Sequence, residues 1–154
     1  MDVARDLLGN PAAIGSRGAV IWATEQKGGR GRHGRQWSSP PGNLYVTVIL
    51  KHERPMADAP QLALVTGIAI AEAVADELPA GTVTMKWPND LLINGAKSAG
   101  ILLEGGGTGA SPVLIGSGIN IESAPNNTPY PATTLRAAGS GIDAQTLLER
   151  YLAA

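Results

Sequence analysis

The chain has 154 residues, 44% hydrophobic and 16% charged, with a formal net charge of −1 and a pI near 6.1. That balance suits one globular domain and excludes a disordered chain, a strongly basic nucleic-acid binder and an acidic tail. With no Cys there is no disulfide framework, thiolate zinc site or cysteine nucleophile, and with no Phe the core must be aliphatic.

Residues 2–8 read as a short helix closed by Gly9-Asn10-Pro11. Acids stand where a signal peptide has its basic region, and the longest apolar stretch, 62–78, is broken by Thr66, Glu72, Asp76 and Glu77. The expectation is a cytoplasmic chain with no membrane span. A buried strand is predicted over 18–24. Residues 27–35 (KGGRGRHGR) lack any apolar side chain and must form a loop, with Ser38-Ser39-Pro40-Pro41-Gly42-Asn43 extending the irregular region.

The β-branched run 44–50 predicts a strand. Residues 59–78 predict the one long helix, with Leu64, Ile68, Ala71, Ala75 and Leu78 toward the core and Pro79 as its stop. A strand over 83–87 ends at Pro88. Residues 91–93 and 97–103 flank Asn94-Gly95, a tight-hairpin signal. Residues 105–109 read as a glycine turn, 112–121 as a strand, 123–131 as a loop and 143–152 as a closing helix capped by Asp143. Strand runs with one long helix predict an α+β domain: a mixed, mostly antiparallel sheet with helices on one face.

Lys27, Arg30, Arg32 and Arg35 fall within nine positions, with His33 among them and no acid between Lys27 and Glu53. Gly28, Gly29, Gly31 and Gly34 interleave, so backbone N–H groups and planar guanidiniums are offered together to a phosphate or carboxylate. Glycine entropy and self-repulsion predict that the loop stays mobile until an anion arrives. A solvated basic loop touching nucleic acid is an equal reading of the charge alone. Residues 29–34 match G-x-G-x-x-G, but Gln36-Trp37-Ser38-Ser39-Pro40-Pro41 cannot open a helix, so the dinucleotide reading fails on context.

Three motifs in order carry a resemblance. Gln26-x-x-Gly29-Arg30-Gly31-Arg32-x-Gly34-Arg35-x-Trp37 runs on to Ser39-Pro40-x-Gly42-x-Leu44. Lys86-Trp87-Pro88-Asn89-Asp90-Leu91 precedes Lys97-x-x-Gly100-Ile101-Leu102-x-Glu104. Gly116-x-Gly118-Ile119-Asn120 is followed by Ala132-Thr133-Thr134-Leu135. Together they resemble the signatures of biotin protein ligases, across nearly the whole chain.

The resemblance implies a single biotin protein ligase catalytic domain over 1–154. Such a domain, a biotin–[acetyl-CoA-carboxylase] ligase, joins biotin and ATP into biotinyl-5′-AMP. It then passes biotin to a lysine of a biotin carboxyl carrier protein, an acetyl-CoA carboxylase subunit. It implies catalytic roles for Lys97, Arg32 and Asp90. Biotin would meet Gln26, Arg30, Gly31, Arg32 and Lys97. The adenylate would meet Arg32, His33, Arg35, Trp37, Asn89 and Asn120. Ile101 would line an apolar wall. No motif binds metal directly; Mg2+ would arrive on ATP.

The resemblance also implies a preceding strand ending in Ser-Thr-Asn and a small β domain afterwards. Met1 stands where that Asn would be, so a truncated N-terminus and impaired activity are expected, with no DNA-binding domain and no nucleic-acid partner. An exposed sheet edge would suit a homodimer. The alternatives are a lipoate-type acyl ligase of the same fold, or a non-catalytic or weakened anion- or biotin-binding remnant.

Overall fold

Six apolar runs pair into one sheet, and their alternation decides which side chains meet the helices. The computed structural model describes residues 1–16, 18–51, 56–78, 83–105 and 112–154. Its strands are β1 (Gly18–Ala23), β2 (Leu44–Lys51), β3 (Val83–Lys86), β4 (Asp90–Ile93), β5 (Ala96–Gly105) and β6 (Pro112–Ile119). They lie in the order β1-β2-β6-β5-β4-β3, every adjacent pair antiparallel. The parallel component expected of a mixed sheet is, among the described residues, an isolated bridge between Lys97 and Ala132. The helices are α1 (Asp2–Leu8), α2 (Gln61–Ala75) and α3 (Ala144–Ala153).

α2 and α3 cover one face. Leu44, Val46, Leu91, Ile93, Ala99, Ile101, Ile115 and Ile119 meet Ile70, Val74, Leu147 and Tyr151 there, an aliphatic core as the composition requires. Each large side chain so buried contributes about 1.5–3 kcal/mol. α1 lies across the opposite face, where Ala4 packs on Ile49 and Leu114, each one residue out of phase with the core positions Val48 and Val113. The two longer helices thus share a face as expected, while the short one is left to roof the other.

Three local expectations shift. β1 is not a buried strand but the sheet's edge, with Val20 and Trp22 exposed. The long helix is shorter than predicted, and its core face is rotated. Ala63, Thr66, Gly67, Ile70, Ala73 and Val74 are buried, whereas Leu64 and Ile68 face outward. The reason is close approach. A Cβ on Gly67 would lie 2.2 Å from Met85 Cε, so this helix seats itself through its small residues. Leu78 is buried as expected; the stop at Pro79 lies outside the described residues, as does the predicted glycine turn beyond Gly105. Asp143 caps α3 by accepting from Thr146 N at 2.8 Å.

No described helix is long and apolar enough to cross a membrane.

Candidate functional site

The hairpin β4–β5 turns at Asn94-Gly95, where φ is +50° and +80°, as a tight two-residue connection requires. Its ladder then slips. Asp90 pairs Gly100 and Leu91 pairs Ala99, but Leu92 pairs Lys97, which leaves Ser98 as an extra residue. Lys97 and Ala99 would share a face in a regular strand, and Ala99 faces the α2 core. The bulge reverses that relation and aims Lys97 to the α1 face, beside Asp90. Lys97 Nζ lies 2.6 Å from Asp90 Oδ1, both side chains mostly buried. Ser98 is fully buried and its hydroxyl has no hydrogen-bond partner.

Next to this pair the sheet is bare. Gly100 and Gly118 oppose each other across β5 and β6. The Trp37 indole lies on them: a Cβ at Gly118 would stand 2.5 Å from Nε1, and one at Gly100 2.9 Å from Cζ3. Two residues along β6, Gly116 is covered by the end of the Met1 side chain. Trp37 Nε1 is buried without a partner, and Lys97 Nζ lies 5.3 Å from the indole centroid.

The basic loop has its own frame. Trp37 N donates to Gly29 O at 2.9 Å, Gly31 N to Arg35 O at 2.7 Å, and Arg30 bridges Gln36. Residues 32–34 make one tight turn with His33 at φ +57°. Gly29 is required, because a Cβ there would fall 2.3 Å from Trp37 O. At the base, Gln26 N donates to Ser39 O, and Ser39 Oγ donates to Gln26 Oε1 at 2.9 Å. Tyr45 OH donates to Pro40 O at 2.8 Å, and burial pushes this phenol above its ordinary value. Backbone bonds and the indole's seat thus lay out the loop.

Its tip reaches the hairpin. Arg32 Nη1 donates to Asn89 Oδ1 at 3.3 Å. Asn89 is held by β5 at both ends: its Nδ2 donates to Ile101 O at 2.8 Å, and Ile101 N donates to Asn89 O at 2.8 Å.

Of the residues singled out by sequence, Lys97 thus meets Asp90 and Trp37, Arg32 meets Asn89, and the chain neighbours Asn89 and Asp90 join the two sets. Gln26 and Gly31 shape the loop through its frame. Arg30 is turned away to Asp2 Oδ1 at 2.6 Å, and its guanidinium holds the Asp2 carboxyl below its usual range. Arg35 and His33 are exposed on the loop. Asn120 is 2% exposed, its Nδ2 donating to Thr133 O at 3.2 Å.

Sequence reasoning missed Ser98, since one inserted residue leaves no mark on composition. It quoted Gly100, Gly116 and Gly118 without a role; their spacing across two paired strands was the available signal. It also missed Asn43, whose buried Oδ1 accepts from Ile121, Glu122 and Ser123 N and locks the chain after β6.

Lys97 stands beside a flat aromatic seated on glycines, and Arg32 reaches the adjoining Asn89. Such an arrangement suits an anion carrying a flat body. Among the described residues no group of three or more His, Asp or Glu could hold a metal ion.

Residues 12–120 match the model of the Biotin/lipoate A/B protein ligase family. Over 149 residues the chain is 38% identical to a biotin--[acetyl-CoA-carboxylase] ligase of Paracoccus denitrificans, covering 90% of this chain and 61% of that protein. It is 44% identical over 138 residues to the bifunctional ligase/repressor BirA of Escherichia coli, covering 84% and 42%. The chain therefore spans about half the length of these relatives. A biotin protein ligase from Leishmania major, solved with biotinyl-5-AMP, superposes with a TM-score of 0.83 at 31% identity over 99% of this chain and 67% of that one. One from Aquifex aeolicus, solved with biotin and ATP, superposes with a TM-score of 0.76 at 29% identity, covering 97% and 62%.

Proposed function

The chain belongs to the Biotin/lipoate A/B protein ligase family, and we propose that it activates biotin with MgATP and transfers it to a lysine of a biotin carboxyl carrier protein. One observation carries the reading. The bulge at Ser98 sets a mostly buried ammonium, Lys97, on the same face as the glycine strip and the arginine loop. The relatives solved with biotin and ATP or with biotinyl-5-AMP support it.

In the first step a biotin carboxylate oxygen attacks the α-phosphorus of ATP. The bond to the bridging oxygen breaks and pyrophosphate leaves with its magnesium, giving the mixed anhydride biotinyl-5′-AMP. Two anions must meet, so the barrier falls where fixed positive charge waits. Lys97 supplies that charge to the carboxylate and α-phosphate. Arg32, His33 and Arg35 supply it along the phosphates. Asp90 holds Lys97 in place before substrate arrives, and Asn89 holds the Arg32 end of the loop.

The bicyclic head of biotin, a polar ureido ring fused to a thioether ring, would take the place of the Met1 end over Gly116, beside the indole that Gly100 and Gly118 seat. Trp37 would present a flat face to the adenine, and Asn120, buried and donating to Thr133 O, would hold the adjoining chain in place. Gln26 would serve by holding the base of the loop, and Arg30 would meet biotin only by leaving Asp2. In the second step the unprotonated lysine amine of the carrier attacks the anhydride carbonyl. The amide forms, AMP leaves with the anhydride oxygen, and the amine's proton passes to solvent. The closed loop keeps water from making that attack first.

The test is pyrophosphate release by the purified chain with MgATP and either biotin or lipoate. Release with biotin, and a biotinylated carrier afterwards, is the expected result. Release with lipoate alone refutes the substrate, and release with neither refutes the activity.

A further inference from the structure

We propose that Trp87, with Lys86 and Tyr130, forms the docking surface for the carrier protein whose lysine receives the acyl group. The inference rests on the reading of the site given above and adds the partner's contact to it.

Trp87 is 77% exposed, more than any other large apolar side chain described, although it sits in the tight connection between two paired strands. Among the described residues none holds its ring in a hydrogen bond or a cation–ring contact. A tryptophan left bare in water is normally a packing residue misplaced or an anchor awaiting a partner, because its ring gains more than any other side chain on burial at an interface. Tyr130 is 58% exposed, and Lys86 Nζ lies 4.1 Å from its ring centroid. One lysine thus joins the two exposed aromatics.

Position selects the occupant. Trp87 is two residues from Asn89, which takes the Arg32 contact, and Lys86 pairs across the turn with Asp90, the partner of Lys97. Pro131, next to Tyr130, accepts a bond from Lys97 N at 2.8 Å. Both aromatics thus stand on segments tied to the backbone of the reacting residues, Trp87 through Asn89 and Asp90 and Tyr130 through Pro131. A lysine that enters from solvent to reach the anhydride brings its own protein against this rim.

Charge agrees. Asp90 is matched by Lys97, so Lys86 and Arg32 leave the rim cationic. The surface fits a folded acceptor that shows carboxylates and an apolar residue beside its target lysine. Other exposed apolar residues, such as Val65 and Ile68 on α2, have no such tie to the reacting groups.

The experiment separates docking from chemistry by using two acceptors. Wild type and Trp87→Ala are given biotin and MgATP, then either hydroxylamine, a small nucleophile that needs no docking, or a purified biotin carboxyl carrier domain. The expected result is unchanged hydroxamate formation with kcat/KM for the carrier lowered about 10–100-fold, mostly through KM, as for loss of an interface anchor. Trp87→Phe should restore part of it, and Tyr130→Ala and Lys86→Glu should act in the same direction.

Equal losses with both acceptors would overturn the proposal in favour of a role in the chemistry. An unchanged carrier KM would overturn it as well. So would Trp87→Ala that dissociates a dimer in sedimentation while leaving the carrier KM intact, since a second copy would then be the occupant. A wild-type chain that makes no hydroxamate would instead refute the ligase reading itself.

Discussion

Gly118→Ala tests whether the glycine strip is a seat for ligand and indole or merely a flat stretch of sheet. The backbone itself accepts alanine, because Gly118 is not among the glycines held at positive φ. The obstacle is the ring. The new Cβ would stand 2.5 Å from Trp37 Nε1, 2.7 Å from Cε2 and 3.0 Å from Cζ2. Ordinary contact is about 3.5–4.0 Å, so the indole must retreat by roughly 1 Å along its whole edge. It cannot retreat freely, since Trp37 N is bonded to Gly29 O at 2.9 Å. Overpacking of this kind costs about 1–3 kcal/mol.

Expressed in the bound state, that is roughly a 5–150-fold loss in kcat/KM for biotin, read by biotin-dependent pyrophosphate release. Titration calorimetry should show the same weakening of biotin affinity. Gly28→Ala is the control, because nothing lies within 4 Å of its would-be Cβ. Its rate should stay within about twofold of wild type, as for surface changes generally. A Gly118→Ala protein that keeps its melting temperature, its biotin affinity and its rate would refute the seat.

Lys97→Ala should slow adenylate formation by about 10²–10³, the scale of one lost preorganised charge donor, in single-turnover pyrophosphate release. Arg32→Ala cuts the link to Asn89, so adenylate should escape to water faster, seen as AMP formed without carrier. Burial holds the Tyr45 and Tyr151 phenols above their ordinary value near 10. The unfolded chain ionises them first, so their contribution is whole below pH 10 and declines as pH rises past it. Urea unfolding at pH 9 and 11 should show a smaller decline in a Tyr45→Phe, Tyr151→Phe variant than in wild type.

What the sequence made legible was whatever one segment states by itself. Asn94-Gly95 specifies its turn, Asp143 its helix cap, and the run of glycines and arginines its loop. The long helix was harder because 61–75 is apolar on nearly every side. Periodicity then has no contrast to report, and the buried face was chosen by Gly67 meeting Met85 and Ile101, a contact between distant segments.

The site divides along the same line. Arg32, Asn89, Asp90, Trp37 and Lys97 could be nominated from motifs, but where each one points could not. Alternation along β5 argues that Lys97 should lie with Ala99 and Ile101, inside, where a lysine would be costly to bury. The chain resolves that conflict by spending one residue on a bulge. Ser98 is sealed in with an unpaired hydroxyl, a cost of about 1–3 kcal/mol that no stability argument would select. A local defect retained at that cost, which swings the ammonium onto the indole and the glycine strip, is better explained by what the ammonium does there than by what holds the sheet together.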